Sequence, residues 1–155
     1  MTETRQIEPC KSEGKGLDQV RWDLEQRGDS FLQILNQESC ENYTFRIYTP
    51  TDKINYGGPL SRILNRVDKK LFLENLFEEV QGMNFELSRG YGSNSPRITA
   101  EIDLANHVMR TEQVDGDSIS SKISNDFLSL ASDIAGYYLT RVREQRTYDC
   151  GGSEL

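Results

Sequence analysis

The chain has 155 residues, of which 35% are hydrophobic and 28% are charged, and its formal net charge is −7. This length suits one domain with a modest core. The negative charge repels phosphate backbones, so it argues against binding of bulk nucleic acid and favours partners with basic or apolar segments.

Three cysteines, Cys10, Cys40 and Cys150, lie far apart and form no CxxC pair. This spacing argues against a zinc ribbon or a thioredoxin-like redox site, and we expect reduced thiols in a cytoplasmic protein. The polar stretch after Met1 does not resemble a signal peptide. No run approaches the roughly 18 apolar residues of a membrane span, so we expect no membrane partner.

The first third of the chain predicts a helix and a strand after a polar start. Residues 1–16 are expected to form a disordered N-terminal segment. A helix is expected to begin at Leu17, where apolar residues recur at three- and four-residue steps. Beyond Gly28, the run Phe31–Leu35 fits either an extension of this helix or a short strand. In Tyr43–Tyr48, successive side chains would lie on opposite faces of a strand, with apolar residues at every second position. The run is also rich in aromatic residues, so it predicts a half-buried strand.

The middle of the chain predicts an edge strand and a second helix. Gly57–Pro59 indicates a turn, which leaves Lys53–Tyr56 as a short edge strand. The second helix is expected over Asp68–Val80, with Asp68 as its N-cap and Gly82 at its C-terminal end.

The remaining elements are predicted to be strands followed by a long helix. Phe85 and Leu87 alternate with polar residues, and Ile98–Leu104 alternates strictly, which predicts two strands. Val108–Val114 is expected to return as a further strand after a turn at Ala105–His107. A helix is expected after Asp115–Ser118, running to about residue 146, because apolar residues recur there at helical spacing.

These elements predict an α+β fold in which strands form antiparallel groups between helices. We expect one domain over residues 17–146, with helices packed mainly on one side of the sheet and a long C-terminal helix. Residues 147–155 are expected to form a flexible tail.

The residue types required for known catalytic centres are sparse. His107 is the single histidine, and its place in an expected turn indicates a surface residue. Glu101 and Asp103 share one face of a strand, as a catalytic carboxylate pair could, but solvated sheet faces carry such pairs routinely. We therefore predict no enzyme, no cofactor and no metal site, and keep an enzyme with an unrecognised carboxylate site as an alternative.

The order of elements resembles that of the type III secretion chaperones and the related YbjN-type bacterial proteins. The matching stretches are Leu17–Glu25, Tyr43–Tyr48, Asp68–Val80, Phe85–Leu104 and Ile119–Arg146. This resemblance implies a homodimer that binds an extended segment of another protein, without catalysis.

From Asp68 onward, the order helix, three strands, helix is similar to the double-stranded-RNA-binding domain. Gly116–Lys122 is similar to the start of the last helix in that family. Ser121 and Asn125 stand where lysines are usual, so this resemblance implies poor phosphate contacts.

The function predicted from the sequence is a non-enzymatic protein-binding adaptor or chaperone-like module that acts through a sheet edge and a helix surface. Aromatic residues are enriched at interfaces. The predicted contacts are Phe45, Ile47 and Tyr48 on a possible edge strand, Tyr91 in a loop, and Tyr137 and Tyr138 on the last helix.

Positively charged residues leave two further interpretations open. A nucleic-acid-associated role would use Arg89, Arg97 and Lys122. The densest cationic group is Arg62, Arg66, Lys69 and Lys70, which is either an ordinary solvated face or a local anion-binding site.

Overall fold

The computed structural model describes residues 2–10, 16–39, 43–48, 55–78, 84–90, 95–114 and 119–154. In chain order, the elements are β1 (Thr2–Gln6), α1 (Leu17–Ser39), β2 (Tyr43–Tyr48), β3 (Asn55–Pro59), α2 (Leu60–Ile63), α3 (Arg66–Glu78), β4 (Asn84–Arg89), β5 (Arg97–Asp103), β6 (Val108–Val114) and α4 (Ser121–Glu154).

The strands form one six-stranded sheet in the order β1-β6-β5-β4-β2-β3, and every neighbouring pair is antiparallel. This sheet, with the long helix α4 at the C-terminal end, confirms the predicted α+β fold. Strand β2 lies between β4 and β3, so it is an interior strand rather than an edge. The edges are β1 and β3.

The helices contribute to a shared core on one face of the sheet. The ring of Phe45 on β2 lies 6.1 Å from Phe31 of α1, 5.0 Å from Phe72 of α3 and 5.7 Å from Phe127 of α4, measured between centroids. All three contacts have edge-to-face geometry, which aromatic pairs favour. One strand residue thus joins three helices to the sheet.

The strict alternation of apolar and polar residues in β5 corresponds to one buried and one more exposed face of the strand. Ile98, Ala100 and Ile102 are buried against the core, and Glu101 on the opposite face is exposed. Such a sheet, apolar on one face and polar on the other, is common among antiparallel folds.

The N-terminal segment differs from the expectation of disorder. Thr2–Gln6 forms β1, which pairs with β6, and the Ile7 amide donates to the carbonyl oxygen of His107 at 2.8 Å. Residues 7–10 then cross α4. The side chains of β1 are polar and mostly exposed, so a strand held mainly by backbone hydrogen bonds left no hydrophobic pattern to detect.

The stretch after Gly28, left open as helix or strand, continues α1. Phe31, Leu32 and Leu35 are buried on the side of the helix that faces the core. These three residues are one, three and four positions apart. On a helix this spacing places all of them on one side, whereas on a strand Leu32 would lie on the opposite face from the other two.

The second predicted helix begins two residues earlier than expected. Asp68 is not the N-cap, because the Asn65 side-chain oxygen accepts from the Val67 amide at 3.1 Å and α3 starts at Arg66. Asparagine supplies a capping oxygen as well as aspartate does. The short α2 was not anticipated, and Gly82 lies outside the described residues.

The expected turn at Gly57–Pro59 is instead part of β3. A Cβ atom on Gly57 would lie 2.2 Å from the carbonyl oxygen of Phe45, and its φ is +110°. Glycine therefore serves the close approach of two strands here rather than a turn. Strand β3 does lie at an edge of the sheet, as predicted for this region.

The last helix is longer than expected. Helix α4 continues to Glu154, so the predicted tail after residue 146 is largely helical. The sequence of α4 contains no proline that would end it earlier. At its start, the Ser120 hydroxyl oxygen accepts from the Ile123 amide at 3.3 Å, while Asp115–Ser118 lie outside the described residues. No helix in the described part of the chain is long and apolar enough to cross a membrane.

Candidate protein-binding surface

Helix α3 presents two large hydrophobic side chains to solvent. Val67 is 74% exposed and Leu71 is 54% exposed. Because they are four residues apart on a helix, they lie one above the other on the same face. Burial of such side chains is favourable in water, so this face is a natural place for another molecule to bind.

The orientation of α3 is fixed by contacts on its opposite side. Phe72 is buried there, and its ring lies edge-to-face with Phe45. The Lys69 ammonium lies 3.2 Å from Asp29 Oδ1, which ties α3 to α1. These contacts leave Val67 and Leu71 on the side of α3 that faces away from the domain.

Positively charged side chains lie beside the two apolar residues, and the exposed Glu74, three residues after Leu71, shares their face of the helix. Arg62, Arg66 and Lys70 are all exposed, and Arg62 lies 3.9 Å from the Asp68 carboxylate. Among the described residues, neither Arg66 nor Lys70 has an ion-pair partner. The N-terminal end of a helix is itself partly positive, so these cations reinforce the local potential.

We call these five residues, Arg62, Arg66, Val67, Lys70 and Leu71, the α3 patch. It is locally cationic on a chain whose net charge is −7. The carboxylates of Asp68 and Glu74 lie beside the patch, but its three cations outnumber them. Apolar side chains with a surplus of positive charge suit a segment that has apolar residues and negative charge.

Most of the predicted aromatic contacts lie in the core. Phe45, Ile47, Tyr137 and Tyr138 are buried, so in this structure they support the fold and do not reach a partner. Tyr91 lies outside the described residues. Aromatic side chains are common both in cores and at interfaces, and the sequence alone did not separate the two.

Tyr48 is the predicted contact that remains partly accessible. It lies half-buried on the polar face of the sheet, next to an ion pair between Arg46 Nη1 and Glu86 Oε1 at 3.3 Å. Burial raises the pKa of the Tyr48 phenol, and the Glu86 carboxylate adds to this, whereas Arg46 opposes it. The phenol is therefore neutral at pH 7 and can act as a hydrogen-bond donor.

The three residues of the nucleic-acid alternative do not form one surface. On β4, Arg89 is two residues from Leu87 and therefore lies on the face of the sheet that the helices cover. On β5, Arg97 is paired with Ser88, which lies on the other face. Alternation along a strand thus directs the two arginines to opposite faces of the sheet. Lys122 is exposed in the first turn of α4.

The carboxylates of the enzyme alternative stabilise a hairpin. Arg110 Nη1 lies 3.7 Å from Glu101 Oε1 and 3.3 Å from Asp103 Oδ2. The Asn106 side-chain amide and its backbone amide both donate to Asp103, at 2.8 and 3.1 Å. These hydrogen bonds, followed by Arg110, lower the pKa of the Asp103 carboxyl. A general acid at neutral pH requires the opposite shift.

His107 completes the turn of this hairpin. Its φ is +56°, in the left-handed region that histidine adopts more readily than most residues, and its carbonyl oxygen accepts from Ile7. The residue therefore has a structural role at the junction of β1, β5 and β6.

The resemblances to type III secretion chaperones and to double-stranded-RNA-binding domains stay predictions. No protein-family model, curated protein sequence or solved structure matches this chain.

Proposed function

We propose that this chain is a non-enzymatic protein-binding adaptor, and that its contact surface is the α3 patch. The exposure of Val67 and Leu71 on one face of a well-anchored helix is the observation that carries the proposal. The partner in this proposal is a protein segment with apolar and acidic residues, bound against the outer face of α3.

The two apolar side chains supply the binding free energy. Complete burial of a valine or leucine side chain contributes roughly 1.5–3 kcal/mol. Since both are already partly covered by the domain, a partner gains on the order of 1–2 kcal/mol from each. Loss of both is therefore expected to weaken binding by at least about tenfold.

The positively charged side chains orient the bound segment and raise its association rate. Arg62, Arg66 and Lys70 attract an acidic segment before contact, which raises the association rate and makes it sensitive to salt. Reversal of charge in Arg66→Glu with Lys70→Glu is expected to slow association and to reverse its salt dependence, because added salt then screens a repulsion.

A displayed library of random peptides tests the partner chemistry directly. Selection on the wild-type chain is expected to enrich peptides in which acidic residues flank apolar residues at three- or four-residue spacing. The double variant Val67→Ser with Leu71→Ser is expected to lose at least about tenfold in affinity for them, because the anchors are gone.

The control is Asn125→Ser, which shortens an exposed side chain on another helix, α4, outside both proposed surfaces. It is expected to bind the selected peptides as the wild type does. Equal binding by wild type and the α3 double variant, with both folded by circular dichroism, would refute the proposed surface.

A further inference from the structure

The outer face of α1 has a stripe of exposed side chains without charge. They recur at steps of three or four residues, which places them on one face of the helix. The stripe consists of Gln19, Trp22, Gln26, Ser30, Gln33 and Gln37, all of them exposed. At 1.5 Å per residue it extends for about 27 Å. We call this set the α1 stripe.

The α1 stripe differs from an ordinary solvated helix face in having no charged residue and in including a tryptophan. Charged residues make up 28% of the chain, and charges are expected on the solvated face of a helix. In α1 they lie beside the stripe, at Arg27 and at Asp23, whose carboxylate accepts a hydrogen bond from the Gln19 amide of the stripe at 3.1 Å. Interface centres are depleted of charge and enriched in aromatic residues. Trp22, the single tryptophan, is 56% exposed, and tryptophan is enriched among residues that dominate binding.

We propose that a second copy of this chain docks on the α1 stripe, with the two α1 helices antiparallel. Each copy has a net charge of −7, so two copies repel each other except where their surfaces lack charge. A glutamine amide both donates and accepts hydrogen bonds, so a row of glutamines is complementary to itself. Self-complementarity is what a two-fold contact requires.

The spacing along α1 fits a two-fold axis beside position 28. An antiparallel pair centred there places Gln26 against Ser30 of the other copy and Gln19 against its Gln37. Trp22 then covers Gln33 of the other copy and leaves water. A single pair of helices buries less than the roughly 800 Å² per partner of a standard interface. The dimer is accordingly weak, with a dissociation constant on the order of micromolar or above.

Sedimentation and tryptophan fluorescence test this dimer with the full chain. Between about 10 μM and 1 mM, a range that brackets weak association, the wild type is expected to convert from monomer to dimer. The emission of Trp22 is expected to shift to shorter wavelength over the same range, because Trp22 is the only tryptophan and lies in the contact. A chain that stays monomeric, or a dimer that forms without this shift, would overturn the proposal.

Charge variants at Gln26 test the contact by loss of association in each variant and its recovery when the two variants are mixed. Gln26→Glu and Gln26→Lys each place like charges close to the two-fold axis, and each is expected to weaken association at least tenfold. An equimolar mixture of the two is expected to associate again, since opposite charges then meet. The control pair is Gln6→Glu and Gln6→Lys, at an exposed amide on β1, with wild-type association expected throughout. Association of Gln26→Glu alone as strong as that of the wild type would contradict the proposal, as would failure of the mixture.

Discussion

At the residue scale, Gly136 determines how the N-terminal segment crosses α4. A Cβ atom on Gly136 would lie 2.4 Å from the carbonyl oxygen of Glu8. Two residues further along the segment, the Cys10 amide donates to Thr140 Oγ1 at 3.0 Å, and the Thr140 hydroxyl donates to the Gly136 carbonyl oxygen at 2.9 Å. Glycine in mid-helix lowers helix propensity, so its presence here reflects the close contact.

The substitution Gly136→Ala is expected to displace residues 7–10 from α4. The steric cost of overpacking, about 1–3 kcal/mol, exceeds the gain in helix propensity of about 1 kcal/mol. Amide hydrogen exchange of Ile7 and Cys10 is expected to become faster. Gly16→Ala, where a Cβ meets no atom within 4 Å, is the control. Unchanged exchange at Ile7 in Gly136→Ala would contradict this role.

Asp103 is expected to make the stability of the β5–β6 hairpin depend on pH. Its pKa lies below the ordinary value of 3.8, chiefly because Asn106 donates two hydrogen bonds to the ionised form. A lowered pKa in the folded state means that the stabilisation is present above the unfolded pKa and is lost as pH falls through the folded pKa. In urea unfolding, Asp103→Asn is expected to be less stable than wild type at pH 7, with the difference shrinking in acid. A titration midpoint of Asp103 at or above 3.8 by NMR would exclude this explanation.

At the element scale, side-chain caps determine where two helices begin. Asn65 accepts from Val67 at the start of α3, and Ser120 accepts from Ile123 at the start of α4. The sequence contains several residues able to cap near each of these points, such as Asp68. Which of them has the required backbone conformation depends on the packing of the helix, so sequence patterns predicted the helices better than their first residues.

Removal of either cap is expected to cost about 1 kcal/mol of unfolding free energy, because a first-turn amide loses its acceptor. Asn65→Ala and Ser120→Ala are to be compared with wild type by urea unfolding. Asn36→Ala, at an exposed position inside α1, serves as the control and is expected to lie within about 0.5 kcal/mol of wild type. A value for Asn65→Ala equal to that of the control would show that Asn65 does not act as a cap.

Elements with a strong hydrophobic period were predicted well, and elements without one were missed. The alternation in β2 and β5 and the helical spacing of α4 follow from side chains that one face must bury. Strand β1 has no such period. It forms nevertheless because it pairs with β6 through backbone hydrogen bonds. The α3 patch was noticed only as a cluster of cations. The exposure of Val67 and Leu71 could not be predicted, because it depends on which side of α3 meets the sheet.

At the scale of the whole molecule, the fold presents two separate exposed surfaces on its helices. The α3 patch is apolar and cationic, and the α1 stripe is uncharged, although the chain as a whole is acidic. In our proposals the first binds an acidic partner segment and the second binds another copy. The two proposals are independent, since the variants at Val67 and Leu71 leave the α1 stripe intact.

The central claim, that the chain binds another protein through the α3 patch, is tested most directly by affinity purification from the native cell extract. The baits are the tagged wild type, the double variant Val67→Ser with Leu71→Ser, and the control Asn125→Ser, each with and without nuclease and followed by mass spectrometry. We expect one protein to be recovered in stoichiometric amount by wild type and control, regardless of nuclease, and to be lost from the double variant. Recovery of nucleic acid, partners that disappear with nuclease, or a partner that the double variant retains would contradict the account.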